Sequence, residues 1–354
     1  MFFLEILVNY ILPIIYDSFV SLVLVLFFLF IFRIKDSNIR ILFSFIPLIK
    51  PFIIISEKID VSSKYFKSYP NSLGLRFPDP NNMINWFENS EKGSPILSNF
   101  NYIILFLISI SIILILIIRW INLYLFYRNL AHEDKVGRKE IPEIYNIIDD
   151  YIKKIKIKAP DVSLTHRCYY SPFMVGIKKS TLVLSPNLLE KLSTDEKETL
   201  IQHELSHIKR KDNLIGWAAL ILRDLLFFNP FAYIAYYLIK TEQEKDSDKL
   251  IVKYSGKPVK EISKNILNTI LKIRSISTLK YASGPPAQSF YFLSLSLFNQ
   301  IKFRNRVNSI LNTNPDKIYS RILPKLLMCI LFLTLLIIQI MFTIKINNFY
   351  IFLR

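Results

Sequence analysis

Two histidines four residues apart, with a glutamate directly after the first, stand at His203-Glu204-Leu205-Ser206-His207. On a helix, positions i and i+4 share a face, so the two imidazoles can hold one divalent ion between them. Glu204 then sits beside the open coordination position, where it can take a proton from an ion-bound water. Zinc lowers the pKa of that water toward neutrality and polarises a carbonyl. The chemistry this spacing suits is peptide-bond hydrolysis, with Glu204 passing the proton on to the leaving amine. A bare His-Glu-x-x-His also arises by chance, so the context must decide. Just upstream, Ser193-Thr194-Asp195-Glu196 forms a capping box, which predicts a helix running through Leu200, His203, His207 and Ile208.

A tetrahedral site with one open position needs a third protein ligand. His132, in a charged linker, and His166, next to a predicted strand, are expected to be exposed or packed histidines. Downstream, Lys240–Leu250 offers two Glu-x-x-x-Asp pairs, Glu242/Asp246 and Glu244/Asp248. The second pair continues into Ile251, Val252 and Ser255, with Tyr237 and Thr241 behind it, which predicts a partly buried face. Glu244 is therefore the expected metal ligand and Asp248 the carboxylate that orients a ligand histidine. Glu242 and Asp246 are expected to be a solvated charge run. The implied cofactor is one Zn2+ ion.

Several elements must bring these groups together. Leu214–Ile239 is long and apolar, but a single membrane crossing would put His207 and Glu244 on opposite sides of the bilayer. It carries Arg223-Asp224 and breaks at Asn229-Pro230, so a membrane-associated helical hairpin over 214–239 is predicted, with Phe227, Phe228, Tyr233, Tyr236 and Tyr237 at the interface. Upstream, 141–156 has the period of an amphipathic helix, and Val162–Thr165, Phe173–Ile177 and Thr181–Leu184 read as short strands. An extended substrate is expected to add beside Thr181–Leu184, as an edge strand would allow.

The chain has 354 residues, 52% hydrophobic and 21% charged, with a mean hydropathy of +0.32. That is too apolar for an ordinary soluble domain and too charged for a pure helical bundle, so several spans plus one water-facing domain are expected. Cys168 and Cys329 are too few for a disulfide framework or a cysteine zinc site. The net charge of +17 collects beside apolar runs, which favours the positive-inside bias and anionic lipid over nucleic acid, for which no recognition motif is present. Predicted spans are 11–32, 102–118, 326–344 and a weaker 41–56 broken by Pro47, Lys50 and Pro51. The first lacks the basic flank and cleavage site of a signal peptide. Lys and Arg clusters place the large region on the cytoplasmic side. The expected organisation is two transmembrane helices over 1–56, an external loop over 57–100, a third helix over 101–128, a catalytic domain over 129–325 and a last helix over 326–345.

HELSHIKRKDNL, FFNPFAYIAYYL, the Glu244–Asp248 pair and SPFMVGIKKSTLVLSP upstream resemble the BlaR/MecR-type signal-transducing membrane peptidases. The 37-residue gap from His207 to Glu244 (244 − 207) is close to that family's, whereas the related CaaX-prenyl and stress proteases usually have a longer one. The resemblance implies an α-helical membrane protein with about four transmembrane helices and an inserted α+β gluzincin-like domain. It also implies zinc on His203, His207 and Glu244, Glu204 as base, and endopeptidase action in a bacterial cytoplasmic membrane. Its implied partners are a protein or peptide substrate, such as a cytoplasmic repressor, the lipid bilayer, and a partner sensor protein. Arg306, in FRNRVNSIL, lies where related peptidases have an arginine before an apolar helix. It is either an oxyanion stabiliser or a membrane-proximal basic residue among Lys302 and Arg304. The antibiotic sensors carry a penicillin-binding domain after the last span, where about ten residues stand here, so a signal is expected through 57–100, the spans or a partner. Ser277-Thr278-Leu279-Lys280 fits Ser-x-x-Lys without companion motifs and is expected to be coincidental.

Overall fold

The computed structural model describes residues 11–58, 66–68, 76–78, most of 110–129, 135–165, 172–176, 179–279, 306–311, 327 and 330–339. His132, His166, Cys168, Cys329 and Lys280 lie outside these residues, as does most of the loop 57–100. Within that loop the described parts, β1 (Phe66–Ser68) and β2 (Arg76–Pro78), pair antiparallel.

Helix α1 (Leu12–Ile31) opens the described chain, and its stretch Ile14–Ile31 is the one helix long and apolar enough to cross a membrane among the described residues. The predicted span 41–56 is not one helix. It divides into α2 (Ser37–Ser44), capped by the Asp36 side chain, and α3 (Ile46–Lys58), meeting at Phe45. Pro47 has no N–H to return to the preceding turn, so the helical ladder breaks there. Both segments lie against α1, where Lys50 Nζ meets Asp17 Oδ1 at 2.5 Å with both groups buried. Helix α4 (116–129) extends the predicted third span, and 330–339 is helical within the predicted last one. The large apolar side chains left exposed lie mostly on one set of elements: Phe19, Phe27 and Phe30 on α1, Ile117 and Ile121 on α4, and Leu333 and Ile337 near the end. An apolar belt of this kind is what hydrocarbon, rather than water, tolerates.

The sheet-bearing part of the chain begins with α5 (Pro142–Ile155), which ends in left-handed Lys156. Strands β3 (Asp161–Leu164), β4 (Phe173–Val175) and β5 (Thr181–Leu184) form a sheet of order β3-β5-β4. Strand β5 runs parallel to β3 and antiparallel to β4, with Asp161 opposite Thr181 and Phe173 opposite Val183. Gly176 (φ +92°) starts the β4–β5 turn, and a side chain there would strike the Lys179 carbonyl. A short α6 (Pro186–Leu189) leads to α7 (Thr194–Arg210), started by the reciprocal bonds of Ser193 and Glu196. Ile201 and Leu205 of α7, Val162, Leu182 and Leu184 of the sheet, and Ile144, Ile148 and Tyr151 of α5 form one buried cluster. The apolar side of α7 is thereby fixed in place, and the Tyr151 hydroxyl meets the Ser206 hydroxyl at 3.0 Å within it.

The hairpin follows. Helix α8 (Asp212–Leu225) and α9 (Pro230–Tyr254) run antiparallel around Asn229, whose side chain caps α9 through the Phe231 N–H. Fourteen residues rise about 21 Å, so α9 returns Glu244 to the level from which α8 departed. The hairpin's apex packs against α1. The Asn229 amide donates to Ser18 Oγ (2.6 Å), inside the apolar stretch of α1, and Ala219, Leu220, Ala232 and Ile239 share one core with Ile14, Leu48 and Leu123. Helix α10 (Val259–Leu279) follows.

Candidate metal centre

Helix α7 presents His203 and His207 on the face away from the sheet, toward α9. Their Nε2 atoms stand 3.2 Å apart, and Glu244 Oε2 is 3.5 Å from His203 Nε2. One ligand atom from each of the three lies within 4.8 Å of the others. Zn–N bonds of about 2.0–2.1 Å in a tetrahedron put two ligand nitrogens about 3.3–3.4 Å apart, close to the separation seen.

The other ring nitrogens explain why both Nε2 atoms face inward. His207 Nδ1 is 2.8 Å from Asp212 Oδ2, and His203 Nδ1 is 3.0 Å from Asp248 Oδ1, a close contact whose angle falls short of a hydrogen bond. An ionised carboxylate only accepts, so His207 Nδ1 carries its proton and Nε2 offers a lone pair, and the Asp248 charge 3.0 Å from His203 Nδ1 favours a proton on that nitrogen as well. Two lone pairs aimed at one point require a cation or a proton between them. The donor set, two imidazoles and a carboxylate with no thiolate, fits zinc with an open fourth position.

Arg306, on the described segment 306–311, enters the same centre. Its Nε and Nη2 donate to Asp248 (2.9 and 2.8 Å), and Nη1 is 2.9 Å from Glu244 Oε2. The guanidinium thus holds both acids of the Glu244–Asp248 pair on one side of α9. The solvated charge run expected of Glu242 and Asp246 is corrected. Glu242 is buried, paired with Arg40 of α2 (2.9 Å) and Lys245 (2.8 Å), and Asp246 lies against Arg210. The cause is α2, which covers that side of α9.

A cavity of about 240 Å³ opens onto His203, Glu204, His207, Glu244 and Arg306. Pro172, Phe173 and Met174 of the β4 edge form one wall, and Leu200 with Ile266, Ile270 and Ile273 of α10 forms an apolar one. Burial raises the Glu204 carboxyl above its ordinary value, with His207 and His203 offsetting part of the rise. A carboxylate held above its ordinary value is a stronger proton acceptor than a free one. The expected docking strand is also corrected. Thr181–Leu184 is the middle strand, its two sides taken by β3 and β4, so the edge beside the cavity is β4.

Burial would lower the His203 pKa, but contact with Asp248 and Glu244 outweighs it and pushes the value up to about 10. A metal must displace that proton, so apparent metal affinity should rise about tenfold per pH unit from about pH 7 toward 10. The sign for the metal-free fold is opposite. A raised histidine stabilises fully below its unfolded value of 6.5, and that contribution is lost as pH climbs toward 10. Metal titrations and metal-free melting curves over that range check both trends; affinity that is flat with pH would refute the assignment.

Asp212 was not singled out by the sequence. The signal was present in HELSHIKRKDNL, five residues after His207, but left-handed Lys211 (φ +57°) breaks the helix between α7 and α8, and periodicity does not show such a break.

A sheet-backed helix with two histidines, an acid from a second helix and an adjacent buried glutamate define a metallopeptidase-type centre on a largely helical, membrane-associated fold. The description "BlaR1 peptidase M56" matches residues 76–290, more than half of the sequence, and the chain belongs to that family. Among its relatives is the methicillin resistance mecR1 protein of Staphylococcus aureus, 31% identical over 83 residues, 23% of this chain and 14% of that protein. The regulatory protein BlaR1 of Bacillus licheniformis is 23% identical over 173 residues, covering 48% of this chain and 28% of that one. A protease HtpX homolog of Pyrococcus abyssi is 29% identical over 119 residues, covering 33% and 41%. The chain therefore spans less than half the length of each of these curated relatives.

Proposed function

We propose that this chain is a membrane-bound zinc endopeptidase, its catalytic domain facing the cytoplasm. The observation that carries the reading is the convergence of His203 Nε2, His207 Nε2 and Glu244 Oε2 beside buried Glu204. His203, His207 and Glu244 would hold the ion, which when bound supplies an acidified water and a polarised scissile carbonyl. Glu204 accepts the proton from the attacking water and delivers it to the leaving amine. Arg306 brings positive charge to the cavity in which the carbonyl oxygen becomes negative, although its donors rest on Asp248 and Glu244.

The substrate is a protein segment that extends along β4. Asn213 Nδ2 already donates to the carbonyls of Met174 (3.3 Å) and Gly176 (3.0 Å), so the outer edge of that strand accepts hydrogen bonds. In an extended strand the N–H and C=O of one residue point the same way, so the Met174 N–H is the donor open to a peptide. Met174→Pro deletes that donor on the outward side, where an edge strand tolerates proline. One lost hydrogen bond, about 0.5–1.5 kcal/mol, predicts a KM about 2–10-fold higher with kcat little changed. An unchanged KM would exclude β4 as the docking edge.

The BlaR1 and MecR1 relatives favour regulatory proteolysis, for instance of a cytoplasmic repressor, with the signal arriving through the loop 57–100, the spans or a partner. The HtpX homolog is matched over a larger share of its own length, which supports a second reading, a membrane quality-control protease. A receptor that keeps the domain only as a scaffold has no need of Glu204, so its retention at the centre counts against that alternative. Comparing the proteins of cells that carry the parent or Glu204→Gln separates the cases. One accumulating repressor indicates regulation, many accumulating membrane proteins indicate quality control, and no difference would refute proteolysis.

A further inference from the structure

Asp212 lies outside the motif that carries the two histidines, yet polar groups grip it from several sides. Its Oδ2 is 2.8 Å from His207 Nδ1, its two oxygens are 3.2 and 3.0 Å from Arg210 Nε, and Ser247 Oγ donates to Oδ2 at 3.4 Å. The Gln243 amide donates to its backbone carbonyl at 3.0 Å. Gln243 and Ser247 belong to α9, one residue before and three after Glu244, so a single carboxylate ties together α7, α8 and α9.

We propose that Asp212 is a positioning residue of the metal centre, fixing the tautomer and ring angle of His207 and registering the α8–α9 hairpin against it. The inference rests on the zinc reading above. A carboxylate only accepts, so Asp212 holds the Nδ1 proton and leaves the Nε2 lone pair for the ion; the negative charge also makes the imidazole a stronger ligand. Arg210 and Ser247 prevent the carboxylate from turning away. The left-handed turn at Lys211 brings Asp212 to His207, whereas a straight continuation of α7 would carry position 212 away from it. Ser247 Oγ, 3.0 Å from Nδ1, is the other acceptor within reach, but a neutral hydroxyl makes a weaker bond than a carboxylate.

The experiment is a zinc titration against a competing chelator on the full chain in detergent, paired with melting of the metal-free protein. Loss of an outer partner of a ligand histidine weakens metal binding about 10–100-fold, and Asp212→Ala should fall in that range. Asp212→Asn keeps the shape and one acceptor but not the charge, so its loss should be smaller. Ser247→Ala, which removes one of the groups that fix the carboxylate but leaves its charge, should weaken binding less than Asp212→Ala. The metal-free Tm of Asp212→Asn should stay close to the parent's, a separation that a merely structural role does not produce. Zinc affinity equal to the parent's in folded Asp212→Ala and Asp212→Asn would overturn the proposal, as would failure of both variants to fold. A parent protein that takes up no zinc would instead remove the zinc reading on which it rests.

Discussion

Glu204→Gln should lower the cleavage rate by about 10²–10⁴-fold while the protein keeps its full complement of metal. The amide matches the carboxylate in size and can fill the same buried position, but it cannot accept a proton from water. Glu204 is not among the three groups whose ligand atoms converge, so its replacement leaves the ion's holders intact. Rate assays on a protein substrate with metal analysis of the same samples check both halves. Unchanged cleavage would end the general-base assignment, and lost metal would recast Glu204 as a ligand.

The second large effect separates two acids two residues apart. Glu244→Ala removes a convergent ligand atom, and zinc affinity should fall by more than the about 10–100-fold expected from loss of an outer partner. Glu242→Ala should leave zinc in place but destabilise the fold, because Arg40 and Lys245 lose a buried partner. Breaking a buried pair from one side costs about 3–5 kcal/mol, and the part-exposure of Arg40 places this case at or below the lower end. Zinc titrations and metal-free melts of both variants distinguish them, and the reverse pattern would mean that the wrong carboxylate was assigned.

These two acids show what the sequence could and could not convey. The face shared by Glu244 and Asp248 continues into Ile251 and Val252, a local pattern, so a buried face was legible. The partner of Glu242 is Arg40, 202 residues away, and no local pattern announces it. The zinc helix was legible for the same local reasons, a capping box and one apolar side at helical spacing. Strand existence was legible too, but pairing order was not. Parallel neighbours β3 and β5 are joined through β4 rather than by a tight turn, and alternation of side chains is the same in a middle strand as in an edge strand. The Asn229-Pro230 break revealed the hairpin, while its depth beside α1 depends on the Asn229–Ser18 bond, again a long-range contact. Asp212 was hidden by one left-handed residue.

The central claim is the coordination of the ion, and X-ray absorption at the zinc edge on the purified protein tests it most directly. The account predicts one zinc per chain, bound to two imidazole nitrogens at about 2.0–2.1 Å with oxygen completing the shell and no sulfur. A sulfur ligand, a single imidazole, or a protein that takes up no zinc would contradict it.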